Sequence, residues 1–418
     1  MGFLDSYGLI IVFSLTIIIS YFFNLYAKKS GIPAVLMLIG LGIVIHYGLL
    51  FSGKGPLDLA KPLEVLGVIG LILIVLEAAL DLRLQKDKAS LIIRSFLAAL
   101  LGLGGTVYLA SLTLSYFFDI GFLNAMLYTI PLSILSSAII LPSIDDLDKD
   151  KREFMIYEST FSDIIGIVGF YSVLTMLGSS SSEGVYGEVF GNLALTVIFS
   201  VIISYILICV FQNIKGHVKL FLLISILLLL YAVGKMFHLS SLIIILIFGI
   251  ILNNYKLFFK GVLGKLVNME RVEDVLDDMK VITAETSFVV RTFFFILFGW
   301  SVSLISLLSF NVIGLGLLVL VIIYLVRAIV LFVFSGKDIM PQLFLAPRGL
   351  ITILLFFAIP KELAVEADFQ GVLLFVILVS CLVMSWSLVR QKKKLANEMI
   401  DDKNEGSPLE NKREIIEE

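Results

Sequence analysis

Glu158 and Asp163 interrupt an apolar stretch, Phe154 to Leu177, that is long enough to cross a bilayer. A carboxylate at membrane depth costs about 2.5–3.5 kcal/mol on insertion scales. Here two stand five residues apart, with Ser159, Thr160 and Ser162 between them. Acids and hydroxyls at this spacing are the chemistry of a site for a small cation or a proton inside a membrane. Asp163 is the candidate transport carboxylate. Burial disfavours the charged form of a carboxyl group, so a proton and a cation compete for the same oxygens. Sodium or potassium needs several hard oxygen ligands, and Ser162, Ser159 and the backbone of a broken helix can supply some of them. The plainer alternative is a structural carboxylate paired with an arginine.

Glu158 fits that plainer description better. Five residues turn a helix by about 140° net, so Glu158 and Asp163 need not share a cavity. Arg327 lies inside another apolar run, IIYLVRAIVLF, and needs an anion; Glu158 is the obvious partner. An arginine cannot deprotonate to join a proton cycle. Arg348, in APRGL, follows Pro347 at a helix break, where a cation either offsets the partial negative charge of a helix C-terminus or acts as a selectivity element. Ser136 and Ser137 lie in PLSILSSAIILP and either add oxygens near Asp163 or pack helices. Arg291 pairs locally with Glu285 or across to Glu77, and Glu77 and Asp81 read as structural. Asp145 and Asp146 read as a solvated loop. His46, His217 and His238 are scattered without metal-ligand spacing.

Composition sets the frame for these residues. The chain is 59% hydrophobic and only 16% charged, against about 25% charged in a soluble domain. It reads as an all-α polytopic membrane protein, with no basic cluster that argues for nucleic acid. Cys209 and Cys381 fall inside apolar runs and suggest no disulfide framework. The first apolar run lacks a basic n-region and reads as a span, not a cleaved signal. No P-loop, HExxH, G-x-S-x-G or Gly-rich dinucleotide turn is present, so neither an enzyme nor an ATP-driven pump is expected, and no cofactor.

About 13 transmembrane helices are expected, over 7–26, 32–51, 62–81, 92–117, 120–144, 154–177, 188–212, 218–236, 239–254, 283–303, 308–334, 341–360 and 368–389. Proline interrupts the fifth and the twelfth. With the N-terminus outside, the cytoplasmic connections and the tail hold 24 of the 31 basic residues and the outer connections only 4. That split follows the positive-inside rule and places the C-terminus in the cytoplasm of a multi-pass plasma (inner) membrane protein. The connection 255–282 has apolar residues at near-helical spacing and predicts an interfacial amphipathic helix. Residues 391–418 read as a short charged cytoplasmic tail, disordered, following a transmembrane domain over 1–390.

The spans repeat. LMLIGLGIVIHY (36–47) aligns with IIILIFGIILNN (243–254), with Gly42 over Gly249, at an offset of seven spans. An odd offset makes the copies opposite in orientation. The same offset pairs the fifth span, broken at Pro131 and Pro142, with the twelfth, broken at Pro341, Pro347 and Pro360. The inverted repeats cover approximately 7–177 and 218–389, joined by the span 188–212. Interrupted segments at matching positions in two halves point to a transporter's binding site.

These residues resemble the monovalent cation:proton antiporter superfamily, in its sodium/proton exchanger, NhaP-like group. Glu158-Ser159-Thr160-Phe161-Ser162-Asp163 is similar to the exchanger pattern E-S-x-x-N-D. VLEAALDL (75–82), Arg327 and PRGLITILLFFAIP (347–360) support the match, which covers nearly all of 7–390. The resemblance implies an NhaA-like antiporter fold: thirteen spans, two crossed discontinuous helices, a mobile core and a scaffold that forms a homodimer. It implies that Asp163 binds Na+ (or K+) and H+ in turn, and that Glu158 pairs with Arg327 to order the core. An arginine at 327 with a single aspartate implies electroneutral exchange serving pH homeostasis. Two departures bear on the cation: Ser162 stands where asparagine is usual, and SSAIILP stands where many exchangers carry T-D-P, which is more like the potassium-efflux branch. The readings in competition are Na+/H+ exchange, K+/H+ exchange on the same fold, and a channel or receptor that reuses the scaffold.

Overall fold

In lipid a backbone must satisfy its own hydrogen bonds, and apolar runs of this length do so as helices. The computed structural model describes residues 6–51, 60–144, 147–178, 185–213, 219–236, 241–261, 263–301, 307, 309–365 and 369–405, and among these there is no strand. The α-helices are α1 (Ser6–Ser30), α2 (Ala34–Phe51), α3 (Ala60–Asp81), α4 (Ala89–Phe118), α5 (Phe122–Ser133), α6 (Ser137–Ile140), α7 (Lys149–Gly178) and α8 (Val185–Phe211). They continue as α9 (Lys219–Met236), α10 (Ser241–Asn253), α11 (Tyr255–Phe258), α12 (Met269–Ser301), α13 (Phe310–Phe334), α14 (Leu350–Phe357) and α15 (Phe369–Glu405). Every one of the thirteen expected spans contains a helix. Among the described residues, nine helical stretches are long and apolar enough to cross a membrane by length and composition. Of the others, α10 and α14 are short, and α3 and α9 carry charged residues, Lys61, Glu64, Glu77 and Asp81 in α3 and Lys219 and Lys235 in α9.

The helices pack as two groups. In one, which we call the scaffold, α2 and α3 pack on α12, α10 packs on α3, α8 and α9, and α1 lies over α2 and α12. In the other, the core, α4 packs on α5, α7 and α13, and α13 packs on α15. The two meet mainly where α3 touches α7 and α14, and where α7 touches α8.

The packing carries the repeat. α2 crosses α12 at Gly42 and Gly299. A Cβ on Gly42 would lie 3.0 Å from the Trp300 nitrogen, and one on Gly299 would lie 2.9 Å from the Ile39 carbonyl carbon, so only glycine allows this approach. α10 crosses α3 at Gly249, which faces Leu76 and Ala79. An offset of seven spans carries α2 onto α10 and α3 onto α12, so the two crossings are counterparts. The α4–α7 and α13–α15 contacts correspond in the same way.

Both proline-bearing spans break. Pro131 removes a backbone donor inside α5, and the helix stops two residues later at Ser133. Residues 134–136 are non-helical before the short α6 and a 3-10 turn over Leu141–Ser143. In the second half, 345–349 is non-helical and α14 begins only at Leu350, so the expected span 341–360 is α-helical only over its eight residues Leu350–Phe357.

Two expectations give way. The connection 255–282 is not a separate interfacial helix: from Met269 it is the first part of α12. Its Val272, Val275, Leu276 and Met279 are buried within the protein's own hydrophobic core. Tyr255 and Lys256 of α11 hold this part through Glu273, at 3.0 and 3.1 Å. The tail was expected to be disordered from 391, but α15 continues as helix to Glu405; residues 406–418 lie outside the described residues.

The link from scaffold to core is pinned from both sides. Asn254, at the end of α10, accepts from the Leu84 amide (2.6 Å) and donates to the Leu82 carbonyl (2.8 Å). Between them, Tyr157 of α7 donates to the Arg83 carbonyl at 2.8 Å.

Candidate cation site at the crossed helix breaks

α7 runs unbroken through the polar segment and presents it to the two breaks. Asp163 is fully buried, at 0% exposure. The Ser137 hydroxyl, in the first turn of α6, donates to Asp163 Oδ2. Asp163 Oδ1 is buried and has no hydrogen-bond partner among the described residues. An unpaired buried carboxylate oxygen is costly unless something else occupies it.

The other predicted oxygens are arranged unequally. Ser162 Oγ accepts the Leu135 amide at 3.0 Å, so it satisfies a backbone donor freed by the break of α5. Ser159 lies one turn before Asp163 on the same helix, but its hydroxyl donates back to the Ile156 carbonyl at 3.2 Å. Ser136 ties the two breaks together: its amide donates to the Pro347 carbonyl at 3.0 Å. Gly349 comes so close that a Cβ there would lie 2.8 Å from Ser136 Cβ. Of the four candidate serines, then, only Ser137 contacts the Asp163 carboxylate directly.

Arg348 reaches from one break to the other. Its Nε donates to the Leu132 carbonyl at 2.6 Å, in the last turn of α5, and its Nη1 to the Ala346 carbonyl at 3.1 Å. The charge of the second half's break therefore caps the helix end at the first half's break. Its own amide donates to Ser380 Oγ at 3.1 Å.

Glu158 and Arg327 form a buried bidentate pair, Nη1 to Oε1 at 3.0 Å and Nη2 to Oε2 at 3.2 Å. Arg327 also donates from Nε and Nη2 to the Gln342 carbonyl, at 3.0 and 2.9 Å. Gln342 is a partner that sequence reading missed, because a backbone carbonyl leaves no mark in a motif. A cavity of about 20 Å³ borders this pair, Ser133, Ser162 and Arg348, with room for about one water.

A larger cavity, about 350 Å³, separates scaffold from core. Asn24, Glu77, Asp81 and Arg291 line it on the scaffold side, and Ser137 and Thr160 on the core side. It thus reaches the residue that holds Asp163. Arg291 pairs with Glu77 at 3.3 Å across α12 and α3, not with Glu285. Glu77 and Asp81, read as structural from sequence, both stand on the wall of this cavity. Among the remaining polar candidates, His46 packs its ring against Trp300, with centroids 5.1 Å apart. Asp145, Asp146, His217 and His238 lie outside the described residues.

The sequence model of the family described as "Sodium/hydrogen exchanger, transmembrane" matches residues 12–390. The chain belongs to this family. Its members are transporters, not enzymes, and the family makes this chain a cation/proton antiporter. Two solved structures of the sodium/proton antiporter MjNhaP1 from Methanocaldococcus jannaschii share its fold. One, at pH 8, has a TM-score of 0.70 and 19% identity, over 91% of this chain and 97% of that chain. The other, an electron-microscopy map, has a TM-score of 0.67 and 19% identity, over 96% and 99%. No curated protein matches the sequence.

Proposed function

We propose that this antiporter exchanges Na+ for H+ one for one by alternating access, with Asp163 as the shared site. The observation that carries this reading is the unpartnered, fully buried Oδ1 of Asp163. It sits where the two breaks cross, next to a serine on the wall of a cavity that divides scaffold from core. In the proton-loaded state the carboxyl group is neutral and tolerates burial. In the cation-loaded state Oδ1 and Ser137 Oγ are the first oxygens available, and backbone carbonyls freed at the breaks can supply more. The core then slides against the scaffold and exposes the site to the other side.

Electroneutrality follows from counting charge. One proton or one monovalent cation neutralises one carboxylate, so the core crosses with the same charge either way. The other buried charges are already partnered: Arg327 pairs with Glu158, and Arg348 donates to backbone carbonyls. The distribution of basic residues supports an inner-membrane orientation with the C-terminus in the cytoplasm. The exposed apolar face of α1, including Ile11, Leu15, Ile18 and Phe22, suits a bilayer or a second copy of the chain in a homodimer.

K+ is the second reading. One carboxylate with a neutral Ser137 as its only direct partner among the described residues presents a weak field, which favours a larger, less strongly hydrated cation. Exchange assays in proteoliposomes with each cation in turn decide between them, and Asp163→Asn abolishes exchange of whichever cation it is.

A further inference from the structure

The last turn of α1 lies against α15. Gly31, at φ +77°, closes that turn, and a Cβ there would lie 3.5 Å from Val389 Cγ2 and 3.6 Å from Leu388 Cβ. The Gly31 amide donates to the Ala27 carbonyl at 2.9 Å and Ser30 Oγ to the Tyr26 carbonyl at 2.9 Å, so the turn is fixed. This contact joins the scaffold, through α1, to the core, through α15.

Basic residues flank it on both helices. Lys29 is exposed two residues before Gly31, and Arg390 and Lys393 are exposed just after Val389. Because α15 stays helical past the end of its apolar run, Lys393 sits about 6 Å along the axis from Val389. Neither α1 nor the stretch of α15 from Phe369 to Asn397 carries an Asp or Glu. The level of a membrane surface is marked independently. Trp386 is half exposed, its ring is under the Arg390 guanidinium at 5.5 Å, and it packs edge-on against Phe344 at 5.6 Å. Tryptophan with a cation one turn further out is the signature of the headgroup layer.

We infer that this surface docks the phosphate headgroup of an anionic membrane phospholipid, held by Lys29 on one side and by Arg390 and Lys393 on the other. Such a lipid bridges the scaffold and the core. If the core slides as proposed above, a bound lipid restrains it, and the rate of exchange depends on lipid charge. Juxtamembrane basic residues bind anionic leaflets additively. Removing three of them weakens retention on the order of a hundredfold.

The test is native mass spectrometry of the full chain with phosphatidylglycerol or phosphatidylcholine, for wild type, K29Q/R390Q/K393Q and the charge-retaining K29R/R390K/K393R. The expected result is preferential retention of phosphatidylglycerol by wild type and the charge-retaining variant, and loss of that preference in the glutamine variant. Equal retention in all three overturns the assignment. Displacement of the lipid by millimolar inorganic phosphate overturns it as well, because the site is then one for a free anion. A second arm measures exchange in liposomes of each lipid. A maximal rate that differs between wild type and the glutamine variant only in phosphatidylglycerol, with unchanged cation KM, supports the bridge; measurable but identical rates overturn it. The binding arm does not depend on transport, so a chain that binds the lipid but exchanges nothing refutes the antiport reading and leaves the lipid site standing.

Discussion

Removing the carboxylate from the Glu158–Arg327 pair should cost more than removing the guanidinium. Breaking a buried pair from one side costs about 3–5 kcal/mol, because a charge is left without its partner. In Glu158→Gln the stranded group is Arg327, which cannot shed its proton. It keeps its two bonds to the Gln342 carbonyl, at 3.0 and 2.9 Å, so the loss should fall near the lower bound, about 3 kcal/mol. In Arg327→Gln the stranded group is a carboxylate, which can take up a proton and escape part of the penalty. Glu158→Gln with Arg327→Gln leaves neither charge of the pair stranded and should recover most of the loss. The assay is a double-mutant cycle in detergent, with thermal unfolding read by tryptophan fluorescence and by size-exclusion recovery. A loss of about 3 kcal/mol corresponds to roughly 3–4 °C in Tm for a chain of this size. Additive single effects would refute the pairing as the source of stability. A Glu158→Gln variant with unchanged Tm and no pH dependence of exchange would make Glu158 a transport group and refute its structural assignment.

Other perturbations follow from the geometry. Gly349→Ala should abolish exchange with little loss of expression, because its Cβ would press on Ser136 at the crossing; normal exchange would show that the crossing can open. Arg348→Gln leaves the Leu132 carbonyl uncapped and should lower stability by about 1–3 kcal/mol in a thermal-shift assay. Ser137→Ala removes the one side-chain hydrogen-bond partner of Asp163 among the described residues and should raise the cation KM roughly tenfold in exchange assays. Arg291→Gln frees Glu77 in the larger cavity and should lower the cation KM by no more than about fivefold, since the pair is partly exposed. An increase in KM would mean that Arg291 does not screen the path.

Much of the architecture was legible because membranes impose a strong code. Apolar runs give the spans, proline gives the two breaks, and an arginine in a span demands its acid, so Glu158–Arg327 could be named without coordinates. Ser137 could be nominated but not separated from Ser136, Ser159 and Ser162. Which hydroxyl faces a carboxylate depends on the angle at which the two broken helices cross, and Ser136–Pro347 sets that angle through backbone atoms. Gln342 contributes a carbonyl, which any residue has. The α12 segment from Met269 was misread as interfacial because an amphipathic pattern does not say whether its apolar face meets lipid or protein. The pairing of Arg291 with Glu77 over Glu285 is likewise decided by tertiary packing, where α12 lies against α3.

The central claim is that one buried carboxylate is the shared site. It is tested most directly in proteoliposomes with an imposed pH gradient, adding Na+, K+ and Li+ separately to wild type and Asp163→Asn, with and without valinomycin in potassium-balanced buffer. The account predicts proton movement driven by one or more of these cations, insensitive to clamping the voltage and absent in the variant. Exchange that survives in well-folded Asp163→Asn would contradict it.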